Sequence, residues 1–168
     1  MPPISSWALG AIYWLHMLAT VTWIGSLVAI SILVLPAAKR TLKPAEQLAF
    51  LEAMQRRLEP VAWFSMGILV VTGLFQLSAN PHYDGFLSTT GRWSIAILVK
   101  HSLAVIMAVT SAIQTWEVLP GIRRALMRMD KVGPQELARL QRRETLLLRA
   151  NLVLAVLILA ATATARAS

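Results

Sequence analysis

The sequence predicts an all-α integral membrane protein, a four-helix bundle with short amphipathic helices on its cytoplasmic side. The first observation is composition: 57% of the 168 residues are hydrophobic and only 14% are charged, whereas a soluble domain averages about 25% charged residues. The second is that the apolar residues are concentrated in four runs, each close to or above the roughly 20 residues that cross a bilayer. The chain therefore belongs to the membrane class, and its length suits one domain.

The four spans are expected within a single transmembrane domain over residues 1–168, at about residues 7–35, 61–79, 93–119 and 145–165. Prolines mark their boundaries, because a proline inside a helix removes a hydrogen-bond donor and clashes with the preceding turn. We expect the first span to stop at Pro36 and the third at Pro120, while Pro60 and Pro81 flank the second.

Two of the connections predict amphipathic helices on the membrane surface. Residues 41–60 place Leu48, Leu51 and Leu58 at helical spacing among charged residues. Residues 121–144 have a similar pattern, with a break at Gly133 and Pro134. The remaining connection, residues 80–92, is rich in turn-forming residues and carries few charges.

The basic residues predict the orientation in the membrane. The connections between spans one and two and between spans three and four hold most of them: Lys39, Arg40, Lys43, Arg56, Arg57, Arg123, Arg124, Arg128, Lys131, Arg139, Arg142 and Arg143. The opposite side has only Arg92 and Arg166. By the positive-inside rule, both basic connections are cytoplasmic, and the two termini lie outside a plasma or inner membrane.

The net charge of +8 therefore predicts a surface that faces anionic lipid, so the expected partner is the lipid bilayer and not nucleic acid. The absence of cysteine excludes disulfides, thiolate metal sites and iron–sulfur clusters.

Two histidines lie inside the predicted spans. His16 is about nine residues, or roughly 14 Å, from the outer end of span one, and His101 is about eight residues, or roughly 12 Å, from the outer end of span three. Two imidazoles at one level on different helices of a bundle are the arrangement that ligates a b-type haem axially. Imidazole also suits copper. We therefore predict haem b between His16 and His101, with a copper ion as the alternative.

Five further residues are candidates for contact with that cofactor. Thr72 and Gly73 in span two are expected at the level of the histidines, and a glycine allows close approach of a macrocycle or a helix. Trp23 lies on the same helix face as His16, two turns deeper. Lys100 and Arg92 are placed to extend outward towards a haem propionate.

Structural roles are the alternative for several of these residues. The histidines would then only bond between helices, Gly73 would be a packing residue, and the chain would be an accessory subunit of a larger membrane complex. His82, in the outer loop, is expected to be solvated. A second polar set is expected to stabilise packing: Gln114 bonding to Asn151 across helices, and Glu117 paired with Arg123 or Arg124.

Three segments resemble a known family. LHMLATVTWIGSLVAISILVLP, VTGLFQ and ILVKHSLAV are similar to the CopD-like membrane domain, and this resemblance implies copper import or resistance. A more distant similarity is to the HemJ-type protoporphyrinogen oxidases, which are regarded as haem-binding and which His16, Trp23 and Lys100 match. The chain departs from that second pattern after Gly25, where no Leu-Pro-Arg segment follows.

The leading functional prediction is a small cytochrome-like membrane protein that transfers electrons to other membrane subunits or to a redox partner on the outer side. Copper binding or transport is the runner-up. An independent enzyme is not expected, because the spans contain no Ser/His/Asp set, no phosphate loop and no carboxylate pair, so any oxidoreductase chemistry would have to come from the haem.

Overall fold

The computed structural model describes residues 5–80, 83, 85, 88, 89, 91–128 and 133–167. Its helices are α1 (Ser6–Val28), α2 (Leu35–Thr41), α3 (Pro44–Ser78), α4 (Arg92–Ile113), α5 (Leu119–Met127) and α6 (Pro134–Ala167), with π-helical segments π1 (Ala29–Val34) and π2 (Gln114–Val118). Within the described residues these elements form four continuous stretches long and apolar enough to cross a membrane. The predicted all-α, four-span membrane bundle is confirmed.

The sequence pattern predicted that the first and third spans stop at Pro36 and Pro120. In the structure, the helices continue past both prolines. Pro36 is the second residue of α2 and Pro120 is the second residue of α5, and each follows directly on a π-helical segment. Proline lacks an N–H and its ring clashes with the carbonyl four residues earlier. The wider π turn accommodates that mismatch, so the chain bends without leaving the helical path.

The described parts of the two amphipathic segments are mainly helical: most of the first is joined to the next span, and the second is divided between α5 and the start of α6. Helix α3 runs unbroken through Pro60, and α6 runs unbroken from Pro134. The break predicted at Gly133 is therefore the start of the fourth long helix. Short amphipathic helices are present as well: α5 buries Ile122 and Ala125 on one side and exposes Arg124 on the other.

The two halves of the chain repeat one order of elements. A long α-helix, a π-helical segment, a short helix and a second long helix occur in residues 6–78 and again in residues 92–167. The sequence Val-Leu-Pro marks the same point in both halves, at residues 34–36 and 118–120. Because each half crosses the membrane twice, the two halves have the same orientation, as in parallel transporter repeats.

A second marker of the repeat lies near the far end of α3 and α6. The sequence Ile-Leu-x-x-Thr occurs at residues 68–72 and 158–162. In both copies the threonine hydroxyl donates to the isoleucine carbonyl, over 2.6 Å in the first and 2.8 Å in the second. His16 and His101 each lie in the first long helix of their half, 18 and 17 residues before the valine of Val-Leu-Pro, so they are one residue out of register.

Packing is closest within each half, α1 against α3 and α4 against α6, and α6 joins the halves through its contacts with α1 and α3. The core at mid-bundle contains Trp23, Leu27, Met107 and Ala155. Many large apolar side chains point outward, such as Phe64, which is 71% exposed. An apolar exterior is what a helical bundle presents to lipid, and the structure is that of an integral membrane protein.

Candidate functional site

His16 is held by helix α3 through Thr72. The His16 Nδ1 and the Thr72 Oγ1 are 2.8 Å apart. The threonine hydroxyl has one hydrogen and donates it to the Ile68 carbonyl over 2.6 Å, so it accepts the bond from the His16 Nδ1–H. This bond places the proton on Nδ1 and leaves the lone pair of the neutral imidazole on Nε2.

Gly73 allows that close approach of α3 to α1. A Cβ atom built at position 73 would lie 3.5 Å from the His16 Cε1, which is ordinary van der Waals contact. A larger side chain there would reach the imidazole. The structure thus brings Thr72 and Gly73 against His16, at the level where the sequence predicted them.

His101 has the same tautomer as His16, but a different group accepts the bond from its Nδ1–H. Its Nδ1 lies 2.7 Å from the Ile97 carbonyl oxygen in its own helix. A carbonyl only accepts, so the His101 Nδ1 carries the proton and Nε2 carries the lone pair. Metal-ligating histidines usually donate their other N–H to a carbonyl, a carboxylate or water, and both His16 and His101 are in this form.

A lysine of α4 lies near His16. The half-buried Lys100 is close enough to His16 for an unfavourable charge interaction, and Arg166 is close enough to Lys100 for another. The Arg166 guanidinium lies over the Tyr13 ring, 5.5 Å from its centre. All four long helices therefore contribute to this end of the bundle, which we call the histidine end.

The other predicted site residues lie further away. Trp23 is buried at mid-bundle, where it lines a cavity. Arg92 is exposed at the start of α4. The predicted meeting of His16 and His101 across the bundle stays a prediction, since α1 and α4 are not a closely packed helix pair in the described structure. His82 lies outside the described residues.

The cavity lies between mid-bundle and the end that carries Lys39, Arg40, Arg123 and Arg124, which we call the basic end. Its volume is about 80 Å³, far below the several hundred Å³ of a typical cofactor pocket. Apolar walls are accompanied by polar groups from all four long helical stretches: Ser26, Gln55, Glu59, Ser111, Gln114, Thr115 and Asn151 line it. It suits an ion or a few waters and is too small for a haem.

A buried polar cluster adjoins the cavity. Glu144 in α6 has an exposed fraction of 0%, and its Oε1 accepts from Gln55 Nε2 and, over 3.0 Å, from Gln114 Nε2. The predicted bond between Gln114 and Asn151 is present, with Asn151 Nδ2 donating to Gln114 Oε1 over 3.5 Å. Sequence reasoning missed Glu144 because it grouped this residue with the basic connection. The signal was a carboxylate directly before an apolar run.

The predicted pairing of Glu117 with Arg123 or Arg124 is wrong. Glu117 accepts from Arg143 over 2.8 Å, and Arg123 pairs with Glu52 in α3. Glu117 lies in the π-helical segment π2, and its cation comes from α6 instead of from α5, the next helix along the chain.

Within the described residues, no three side chains of His, Cys, Asp or Glu lie close enough together to hold a metal ion. A metal at the histidine end would therefore use no more than two such ligands together with other donors.

A protein-family model described as Copper resistance protein D matches residues 52–165. The match includes Thr72, Gly73, Lys100 and His101, and it begins after His16 and Trp23. No curated protein and no solved structure matches the chain. The similarity to HemJ-type proteins stays a prediction, and the match gives no support to haem b.

Proposed function

This chain belongs to the copper resistance protein D family, and on that premise we propose that it binds copper within the membrane and carries it across. The observation that carries the proposal is the family match over residues 52–165. The runner-up of the sequence predictions thereby replaces haem-dependent electron transfer as the leading function.

His16 and His101 are the ligands that we assign to copper. Imidazole nitrogen suits copper, and in both side chains the hydrogen bond from Nδ1 leaves the lone pair on Nε2.

The cations near His16 favour transient binding over storage. A copper ion at His16 experiences repulsion from Lys100 and, beyond it, Arg166. Passage through a membrane protein requires binding that is weak enough to release the ion. The positive surroundings are therefore suited to a transported ion.

The proposed direction of copper movement follows from the distribution of basic residues. The positive-inside rule places the basic end in the cytoplasm, so the histidine end faces outward in a plasma or inner membrane. Copper arriving from outside meets the histidines before it reaches the cavity near the basic end.

The test is copper binding by the purified protein in detergent, measured by metal analysis and by competition with a chromogenic Cu(I) chelator. We expect the wild type to retain copper and the double variant H16L/H101L to lose it. The variant H82L is the matched control, because it removes the third histidine and leaves both assigned ligands in place.

Two results contradict the proposal: a wild-type protein that retains no copper, or an H16L/H101L protein that binds as tightly as the wild type. An absorption spectrum of the same preparation separates copper from haem b, since a Soret band after expression with ample haem supports the haem prediction instead.

A further inference from the structure

Glu144 is a carboxylate inside the transmembrane bundle with one oxygen bonded and one oxygen alone. Its Oε1 accepts from both Gln55 and Gln114, and among the described residues its Oε2 has no hydrogen-bond partner although it is buried. Removing an ionised carboxylate from water costs several kcal/mol unless a cation or further donors compensate. The second oxygen of Glu144 therefore requires a positive species that the described side chains do not supply.

The charged groups around the cluster do not supply it. On α3, Glu52 pairs with Arg123 of α5. On π2, Glu117 pairs with Arg143 of α6, and both of these side chains are largely exposed. Glu59 of α3 lines the adjoining cavity and adds a second carboxylate to it. Among the described residues, the groups that hydrogen-bond to Glu144 are the neutral amides of Gln55 and Gln114.

The adjoining cavity gives the polar cluster around Glu144 a route for exchange of waters and protons. Gln55 and Gln114, the two donors to Glu144, line it, and so does Asn151. A cavity of about 80 Å³ holds two or three waters at roughly 30 Å³ each. Such waters can connect the carboxyl group to the polar residues around it.

The chemistry of the donors excludes a soft ion. Carboxylate and amide oxygens suit hard cations, whereas Cu(I) prefers thioether, thiolate and imidazole. The smallest species that neutralises the carboxylate without further ligands is a proton. A carboxylic acid that accepts two N–H bonds at its carbonyl oxygen and bears the proton on the other oxygen fits the observed arrangement.

We propose that Glu144 is a proton-binding site buried in the helical bundle at the start of the fourth apolar run, which takes up and releases a proton through the adjoining cavity. Intramembrane carboxyl groups are commonly proton relays in pumps and transporters. The proposal does not depend on copper, because neither histidine contacts Glu144 in the described structure, and it holds whatever ion the histidine end carries.

The test is labelling by dicyclohexylcarbodiimide, an apolar reagent that adds to protonated carboxyl groups within membranes. The full chain is reconstituted in vesicles, treated between about pH 5 and about pH 9, and examined by intact mass and peptide mapping. We expect one adduct at Glu144, formed fastest at low pH and slowing about tenfold for each pH unit above the midpoint, as for any single titrating group. The variant E144Q should form none, and E136Q, which removes an exposed carboxylate from the same helix, is the matched control and should label like the wild type.

Three outcomes overturn the proposal. Absence of the adduct at every pH shows that Glu144 never carries an accessible proton. Equal labelling across the pH range shows a carboxyl group that does not exchange its proton. Protection by sodium chloride but not by choline chloride assigns the site to sodium instead. Peptide mapping of the wild type keeps the test decisive if E144Q does not fold.

Discussion

At the residue scale, one hydroxyl determines how His16 can act. Thr72 donates to the backbone of its own helix and accepts from His16, so it sets which imidazole nitrogen carries the lone pair. A partner that orients a metal-ligating histidine typically affects metal affinity by 10- to 100-fold. The role of Thr72 in copper binding can therefore be tested by a single substitution.

We predict that T72V weakens copper binding about 10- to 100-fold, because valine keeps the shape of threonine and removes the acceptor for the His16 Nδ1–H. The measurement is competition with the Cu(I) chelator. T72S should restore binding, and T162V is the matched control, since Thr162 donates to its own backbone in the second half. Equal losses in T72V and T162V would show a packing effect instead.

Residue-level chemistry also separates the two ends of the bundle. The imidazole of His16 and the cation of Lys100 lie near each other at the histidine end, while amides and a carboxylate meet near the basic end. The first set suits a soft or borderline metal and the second a hard species. The two proposed sites are therefore chemically distinct, and a variant at one leaves the chemistry of the other intact.

At the element scale, interhelical polar bonds supply what the hydrophobic effect does not provide in lipid. Lipid tails are as apolar as the side chains, so helix pairs associate through close packing and hydrogen bonds. Asn151 of α6 is 1% exposed and bonds to Thr110, to Ser111 over 3.4 Å and to Gln114 over 3.5 Å. It links α6 to α4 and π2.

We predict that N151L lowers the free energy of unfolding by about 1–2 kcal/mol, because it removes these bonds and leaves Gln114 with one partner fewer. Reversible unfolding in mixed micelles, followed by circular dichroism, measures the change. L159A, at a lipid-facing position of the same helix, is the control and should change stability by less than about 0.5 kcal/mol. An N151L protein as stable as the control would assign the α4–α6 contact to apolar packing alone.

The π-helical segments π1 and π2 are the second point at the element scale. Each ends two residues before a proline, at a point where sequence rules predict a helix end. π-Helical turns are frequent at functional sites. In this protein π2 supplies Gln114, so the π-helical segment contributes directly to the polar cluster around Glu144.

At the scale of the whole molecule, the distribution of charge defines the proposed orientation. Because the chain has no cysteine, single cysteines can map it without background. We predict that S5C and T89C react with an impermeant maleimide in intact cells, whereas T41C and G133C react only after lysis, since the positive-inside rule places residues 41 and 133 in the cytoplasm.

All four positions belong to the described part of the chain, and none lies within the spanning apolar runs. The reverse labelling pattern would invert the orientation and with it the proposed direction of copper movement. Labelling of all four positions in intact cells would indicate damaged membranes, which an endogenous cytoplasmic thiol protein reports independently.

The sequence by itself determined the fold class, the number of spans and the basic end, because apolar run length and charge are properties of composition along the chain. It also placed Thr72 and Gly73 at the level of His16, because a helix advances by a constant rise per residue. Local rules failed at Pro36 and Pro120, where a π turn in the folded helix accommodates the proline. They failed again at Glu117, because the identity of its partner depends on which helix lies alongside.

Only the tertiary structure decided the environment of Glu144 and the tautomer of His16. Both depend on atoms far apart in the chain: Gln55 and Gln114 reach Glu144 from two other elements, and Thr72 reaches His16 from α3. Hydrogen bonds act over about 3 Å and are directional, so no pattern along one segment specifies them. Packing brings these groups together, and their chemistry follows from that contact.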